Sequence, residues 1–195
     1  MASKLKRGKG RGRILEAATK LFFESSYAEV GVAEILSICQ IKAPSLYHHF
    51  GDKEGLFVQC VEEAFHRLKT DAGALLRASD DPLATLTALA RLYGDANDID
   101  ILRTIDTARR LVKAENRSRI DMAFHAAVFE PICIALMNAQ DAGRLSIDSL
   151  EASASTFLMG AMAVGKQSVL PIGSTGGDYR WHVLRYTFGF VRPLP

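Results

Sequence analysis

The side chains best suited to chemistry in this 195-residue chain are donors for an anion, and they lie in two places. The first 13 residues contain no acid and hold Lys4, Lys6, Arg7, Lys9, Arg11 and Arg13. Further along, Ser45, Tyr47 and His48 stand close together and Lys53 follows them. Hydroxyl, imidazole and ammonium groups all donate to phosphate oxygens, and a serine can also reach a base edge. These residue types therefore indicate a surface that binds nucleic acid.

The net charge of +2 hides an uneven distribution along the chain. Residues 1–55 hold nine basic and six acidic residues, whereas the remainder holds 15 basic and 16 acidic residues. The excess positive charge lies in residues 1–12, which are rich in lysine, arginine and glycine and have little to pack. We expect a basic flexible arm there, which is either a solvated tail or a segment that follows the phosphates or the minor groove.

Composition and motifs argue against several classes of protein. Hydrophobic residues make up 48% and charged residues 24%, as in an ordinary soluble globular protein. The three cysteines are widely spaced, which favours buried free thiols and a cytoplasmic location. The chain has no recognisable signal peptide and no apolar run of about 20 residues, so no membrane contact is predicted. Catalytic motifs are missing, and His48 and His49 point about 100° apart on a helix. Neither an enzyme nor a metal or cofactor site is therefore expected.

Apolar residues recur at helical spacing from Arg13 onward and predict three short helices. The first begins at Arg13 and ends near Ser25, and the second ends at Cys39. The third runs from about residue 43 to residue 50, with Pro44 in its first turn, where a missing N–H costs nothing. Three short helices with a tight turn before the last one describe a helix-turn-helix, whose last helix lies in the major groove of DNA.

The third helix has an inner and an outer face. Leu46 and Phe50 are four residues apart and are predicted to face inward. The residues left on the outer face are Ala43, Pro44, Ser45, Tyr47 and His48. Gly51 then ends this helix, and Asp52 caps a helix that begins at Lys53. The charge of Lys53 and the free N–H groups of that first turn can together hold one phosphate.

The remainder of the chain is also predicted to be helical, and we expect an all-α protein of about nine helices. Pro131 lies inside a long helix predicted over residues 117–142 and should kink it, because proline removes one hydrogen bond and clashes with the preceding turn. Asp148 and Glu151 resemble a capping box that opens a further helix.

Residues 13–57 resemble the DNA-binding domain of the TetR family of transcriptional regulators. The stretch from Pro44 to Leu56 is close to the family's most diagnostic run, SLYxHFxxKExL, and residues 13–22 and 32–35 resemble its first two helices. Four positions depart from the family's pattern, namely Ser26, Val30, Gln40 and Lys42. Val30 stands where a threonine commonly caps the second helix, and Gln40 replaces a frequent turn glycine, so a left-handed conformation there would be strained.

The resemblance implies three parts: a basic arm at residues 1–12, a helix-turn-helix domain at 13–55, and a helical domain for effector binding and dimerisation at 56–195. A two-fold dimer would present its two recognition helices about 34 Å apart on double-stranded operator DNA. The expected function is that of a repressor released from its operator by an unidentified small molecule. The alternative that stays open is a ligand-independent DNA-binding or interaction protein with the same fold.

Three groups of residues are the candidate sites. The predicted DNA contacts are Lys42, Ala43, Pro44, Ser45, Tyr47, His48, Lys53, Arg11 and Arg13. Candidate effector contacts are polar or soft residues on otherwise apolar faces, namely Phe65, Tyr93, Arg103, Asp106, Met122, His125 and Phe129. The predicted dimer interface lies on the last two helices and comprises Leu150, Phe157, Leu158, Ala161, Met162, Gly165, Trp181, Leu184, Arg185 and Phe188.

Overall fold

The computed structural model describes residues 2–95 and 99–165, with the side chains of residues 11–95 and 99–163. Every regular element in these ranges is a helix, which confirms the predicted all-α class. A π-helical segment, His125–Phe129, separates two of the helices. In chain order the α-helices are α1 (Ala2–Glu24), α2 (Val32–Cys39), α3 (Ala43–Phe50), α4 (Lys53–Ala78), α5 (Pro82–Gly94), α6 (Ile101–Arg109), α7 (Ala114–Phe124), α8 (Glu130–Asp141) and α9 (Leu150–Gly165).

The first helix starts much earlier than the sequence predicted. α1 begins at Ala2, so the predicted start at Arg13 is wrong and the basic run continues the helix. Extending a helix that is already nucleated is inexpensive, and lysine and arginine are good helix formers. The glycines of this run each disfavour the helix by only about 1 kcal/mol relative to alanine. The flexibility of the arm stays a prediction.

Contacts within the chain divide it into two compact units. Unit 1 contains residues 1–65 and 98–123, and unit 2 contains residues 66–97 and 124–195. Helices α6 and α7 therefore belong to the same unit as α1, α2 and α3, although the sequence grouped them with the second domain. The functional boundary expected between residues 55 and 56 remains a prediction.

Buried side chains of α1 to α4 form the core of unit 1. α1 packs against α2, and the rings of Phe22 and Phe57 meet edge to face with their centroids 5.3 Å apart. The apolar stripe predicted for the first helix is buried at three of its positions. The fully or nearly fully buried side chains of this region include Ile14, Ala18, Phe22, Ile35, Leu46 and Leu56.

The turn between α2 and α3 places a residue with a side chain in the left-handed region. Gln40 has φ 53° and ψ 46°, as the missing turn glycine led us to expect. The N–H groups of Gln40 and Ile41 donate to the carbonyls of Ser37 and Leu36 at 3.2 and 3.1 Å, which closes the end of α2. A residue with a Cβ in the left-handed region costs roughly 1–2 kcal/mol. The conformation of Gln40 therefore lowers the free energy of unfolding.

Unit 2 is built around three helices. α5 packs against α8 and α9, and α8 packs against α9. The buried side chains of this core include Leu86, Leu89, Ile132, Leu136, Ala154 and Phe157. α9 begins at Leu150, where the Ser149 hydroxyl accepts a hydrogen bond from the N–H of Ala152 at 3.3 Å. The predicted cap, Asp148, is therefore wrong by one residue.

One helical run in the structure is more apolar than the sequence led us to expect. Residues 114–141 contain an 18-residue window that meets the length and hydropathy of a membrane span, and 39% of that window is buried. In α8 the buried residues Ile132, Ala135, Leu136 and Ala139 belong to a helix that packs against α5 and α9. A core helix of a soluble protein has the same character, and the absence of membrane contact stays a prediction.

The irregularity predicted at Pro131 takes the form of the π-helical segment immediately before α8. Proline cannot donate to the carbonyl four residues earlier, which is that of Ala127. The buried hydroxyl of Tyr93 donates to this carbonyl at 3.1 Å, and burial raises the pKa of the Tyr93 phenol. Tyr93 thereby supplies a donor to the carbonyl that the proline leaves without its helical partner.

Replacing Tyr93 by phenylalanine is expected to lower the free energy of unfolding by about 1–2 kcal/mol, because a buried carbonyl would lose its donor. Urea denaturation followed by circular dichroism measures this change. Tyr47→Phe is the matched control, since Tyr47 is half-exposed on α3 and its hydroxyl can be replaced by water. Equal denaturation midpoints for Tyr93→Phe and Tyr47→Phe would contradict the assigned role of the Tyr93 hydroxyl.

Candidate nucleic-acid interface

The third helix presents the predicted face to solvent. Leu46 is 0% exposed and Phe50 6% exposed, which confirms that both face inward, whereas Tyr47 is 49% exposed. Lys42, Pro44 and His48 are also exposed, and Ala43 and Ser45 are partly exposed. The helix begins after Lys42, has Pro44 in its first turn and ends at Gly51, which has φ 78°. All of these local features agree with the sequence prediction.

Lys53 opens the next helix and lies against an aromatic ring. Its ammonium nitrogen is 4.4 Å from the centroid of the Tyr27 ring. Partial burial lowers the pKa of this ammonium from its ordinary value, while the cation–π contact favours the charged form. The sequence did not reveal Tyr27 as a partner, because 26 positions separate the two residues and no local pattern links them.

Asp52 occupies the N-terminus of α4. One of its carboxylate oxygens accepts a hydrogen bond from the N–H of Gly55 at 2.7 Å, and the other lies 2.5 Å from the ammonium of Lys113. The Lys113 hydrogen bond is the main cause that lowers the pKa of Asp52. The predicted cap is confirmed, and the N–H of Gly55 is therefore not among the groups of this turn that could bind a phosphate.

Glu54 is a buried carboxylate that the sequence did not single out. It is only 8% exposed. Its two oxygens accept hydrogen bonds from the N–H groups of Val112 and Lys113 at 3.2 and 3.0 Å, and from the side-chain amide of Asn116 at 2.8 Å. These donors lie at the start of α7, where a negative charge is favoured. Glu54 therefore fastens the beginning of α4 to the junction of α6 and α7.

The two arginines predicted to contact DNA are exposed on α1. The guanidinium of Arg11 donates to the side-chain oxygen of Gln59 at 2.5 Å and lies 5.7 Å from the centroid of the Phe50 ring. The structure thus brings Arg11 to the end of α3, next to the predicted recognition surface. Arg13 lies two residues further along α1, and its contact with DNA stays a prediction.

The candidate effector residues are distributed over both compact units. Phe65 and Tyr93 are buried, Phe129 is partly exposed, and Met122 and His125 are exposed. Within unit 2 the rings of His125 and Phe129 are 5.2 Å apart. Their role in binding an effector stays a prediction.

Arg103 and Asp106 do not form the ion pair considered from their spacing. The Arg103 guanidinium donates to the carbonyl of Phe22 at 3.4 Å and to that of Phe23, at the end of α1. Asp106 instead pairs with Arg110 at 2.8 Å, one helical turn later. Arg103 therefore fastens α6 to α1 within unit 1, a long-range contact that spacing along one helix could not predict.

The predicted dimer residues fall into two groups. Phe157, Leu158, Ala161 and Met162 are buried within the single chain, and Leu150 is partly exposed. The four buried side chains belong to the core of unit 2. The sequence could not show this, because an apolar stripe does not indicate whether the same chain or a second copy covers the stripe. Gly165 is the last described residue of α9. Trp181, Leu184, Arg185 and Phe188 lie outside the described residues.

Helices α2 and α3 are joined by a tight turn, and α3 exposes hydroxyl and imidazole donors beside the lysine that opens α4. This arrangement is a helix-turn-helix of the DNA-binding class. Residues 14–60 match the family model described as bacterial regulatory proteins, tetR family. The resemblance of residues 13–57 to the DNA-binding domain of this family is therefore confirmed.

Relatives of known role agree with this assignment. The chain is 28% identical over 93 residues to the transcriptional activator FasR of Mycolicibacterium smegmatis, covering 48% of this chain and 42% of that protein. It is 32% identical over 85 residues to the transcriptional regulator LmrA of Bacillus subtilis, covering 43% and 45% of the two chains. The chain thus spans less than half the length of these two curated relatives.

The fold extends beyond the matched domain. A solved structure of AibR in complex with isovaleryl coenzyme A and operator DNA superposes with a TM-score of 0.69 and 18% identity. The superposition covers 95% of this chain and 100% of that chain. At this level of identity the likeness shows the fold alone and leaves the ligand open.

Proposed function

We propose that the chain is a dimeric transcriptional regulator that binds operator DNA through α3 and that acts as a repressor released by a small molecule. The observation that supports DNA binding best is the division of α3 into two faces. Leu46 and Phe50 anchor it in the core, and Ser45, Tyr47 and His48 are left to meet DNA. Their donors are suited to phosphates and base edges.

Basic side chains surround this face. Lys42 precedes α3, Lys53 follows it, and Arg11 reaches its end from α1. Each can neutralise a phosphate and release its counterion, so binding should weaken steeply with salt. Ala43 and Pro44 add apolar contact area that fits a thymine methyl group.

The dimer would form on unit 2, where apolar side chains are left exposed. On α8, Ile134 and Met137 are three residues apart and are 40% and 51% exposed, and on α9 Met159 is 55% exposed. Helices with such faces bury them against a second copy in two-fold assemblies.

The effector is proposed to be a small organic molecule bound by the C-terminal part of the chain in the cytoplasm. The related fold of AibR holds isovaleryl coenzyme A, and coupling between such a ligand and DNA is reciprocal. No catalytic role is proposed, because the relatives of known role are transcriptional regulators. The predicted effector contacts are retained as candidates.

Three of the candidate effector contacts also fit the alternative, a DNA-binding protein that does not respond to a ligand. The hydroxyl of Tyr93 and the guanidinium of Arg103 are both engaged in hydrogen bonds that hold helices in place. Met122, at 63% exposure, faces solvent. If the effector hypothesis fails, the alternative is a DNA-binding protein with the same fold and no response to a ligand. Tyr93 and Arg103 would then have only a structural role.

The test is an anisotropy titration with a fluorescein-labelled duplex that the wild-type protein enriches from a random library. Replacing Lys53 by alanine should weaken binding roughly tenfold. It should also make the fall of log K, the association constant, with log salt less steep by about 1.8 for a dimer. Lys69→Ala is the control, since Lys69 is exposed on the same helix and lies 16 positions after Lys53. Identical curves for the two variants would overturn the proposed interface.

A further inference from the structure

The charge of Lys53 is left without a carboxylate partner although an acid stands on each side of it in the sequence. Within the part of the chain that the structure describes, its ammonium forms no ion pair shorter than 4.0 Å. Asp52 is engaged by Lys113 and by the N–H of Gly55. Glu54 is engaged by the amides of Val112 and Lys113 and by Asn116.

An aromatic ring occupies the position that a carboxylate would otherwise take. The ammonium of Lys53 lies 4.4 Å from the centroid of Tyr27. That ring is itself held by two core aromatics, with centroids 5.8 Å from Phe22 and 4.9 Å from Phe57. The Tyr27 ring therefore packs against the core of unit 1, and the Lys53 ammonium lies against that ring.

The two kinds of partner differ in what happens when a phosphate arrives. A carboxylate would neutralise the ammonium, and the ion pair would have to be broken before the phosphate could use the charge. A ring face attracts a cation through its quadrupole and leaves the full positive charge in place. It also restricts the rotamers of a long side chain, so less conformational entropy is lost on binding.

We propose that Tyr27 is a positioning residue for DNA binding, whose ring holds the Lys53 ammonium ready for one backbone phosphate while the junction of α6 and α7 keeps both neighbouring carboxylates occupied. This inference rests on the proposed function. It extends the interface to a residue that touches no DNA itself, and it gives Lys113 and Asn116 a part in maintaining the free charge of Lys53.

The test is a double-mutant cycle between Tyr27 and Lys53, measured with the same enriched duplex over a series of KCl concentrations. Tyr27→Leu keeps an apolar side chain and removes the ring, and it should weaken binding roughly tenfold for a dimer. Lys53→Met should then cost much less in the Tyr27→Leu protein than in the wild type. Tyr27→Phe keeps the ring face and should bind like the wild type.

A further pair of variants separates positioning from folding. Tyr27→Trp keeps a ring face and Tyr27→Met an unbranched apolar chain, so affinity should follow the ring across these variants and not their denaturation midpoints. If Lys53→Met weakens binding by the same factor with and without the ring, the positioning role of Tyr27 is overturned. The same conclusion follows if Tyr27→Trp binds as weakly as Tyr27→Met at equal stability.

A measurement without DNA distinguishes this inference from the proposed function. In the free protein the ε-methylene protons of Lys53 should resonate upfield through the ring current of Tyr27, and the shift should vanish in Tyr27→Leu. An unshifted resonance in the wild type would overturn the contact whatever the protein binds. A shifted resonance in a protein that binds no enriched or random-sequence duplex would instead overturn the proposed function, and with it the purpose assigned to the contact.

Discussion

Replacing Glu54 by alanine is expected to lower the free energy of unfolding by about 3 kcal/mol, because three donors would lose a buried acceptor together. The N–H groups of Val112 and Lys113 and the amide of Asn116 all point at this carboxylate. Asn116 is 5% exposed, so water cannot easily replace the acceptor. The start of α7 would also lose a favourable negative charge.

Urea denaturation followed by circular dichroism measures this effect, and Glu63→Ala supplies the matched control. Glu63 lies on the same helix and is exposed, so its replacement should change stability by less than about 0.5 kcal/mol. Glu54→Gln keeps the shape but presents an amide to three donors, and it should fall between the two alanine variants. Equal midpoints for Glu54→Ala and Glu63→Ala would show that the carboxylate does not stabilise the junction.

Two adjacent residues of α3 are expected to give opposite results. Leu46→Ala should lower the free energy of unfolding by about 3 kcal/mol, since the leucine is 0% exposed and its removal leaves a cavity. Tyr47→Ala should change stability by less than about 0.5 kcal/mol, because half of that side chain is already in solvent. Tyr47→Ala should instead weaken DNA binding roughly tenfold through the loss of one contact per subunit.

The two variants are therefore each other's control. Denaturation midpoints report the first effect, and anisotropy with the enriched duplex reports the second at a temperature where both proteins are folded. If Tyr47→Ala destabilised the protein as much as Leu46→Ala, the outer face of α3 would be part of the core. The orientation on which the proposed interface depends would then be wrong.

The sequence was most informative where local chemistry decides the structure. The bounds of α2 and α3 follow from helical spacing, from Pro44 in a first turn and from Gly51 at a helix end. Such signals act over a few residues, so they survive whatever the rest of the chain does. The outward position of Tyr47 follows from the same spacing, and that is why the candidate DNA contacts could be proposed before the structure.

The features that the sequence did not reveal are contacts between distant positions. Glu54 accepts from an amide 58 residues away, and Arg103 donates to a carbonyl 80 residues away. Tyr93 reaches the carbonyl of Ala127 in another helix. From the sequence alone, each of these side chains is an ordinary polar residue on its own helix. Helical periodicity shows which face of a helix is buried, but it does not show which distant group contacts that face.

The same limit explains the stripe of α9. Phe157 and Leu158 were expected in a dimer interface, yet they are buried within one chain. An apolar face requires cover, and the sequence alone cannot distinguish a neighbouring helix from a second copy. The start of α1 was missed for a different reason: a basic run with glycines has weak helix signals, although it can extend a helix that is already formed.

The most direct test of the central claim, that the outer face of α3 binds DNA, is the affinity of one triple variant for the enriched duplex. Ser45→Ala, Tyr47→Ala and His48→Ala together remove the polar donors of that face and leave Leu46 and Phe50 in the core. We predict a loss of affinity of at least about a hundredfold, with an unchanged circular dichroism spectrum and denaturation midpoint. A folded triple variant that binds the duplex as tightly as the wild type would contradict the claim.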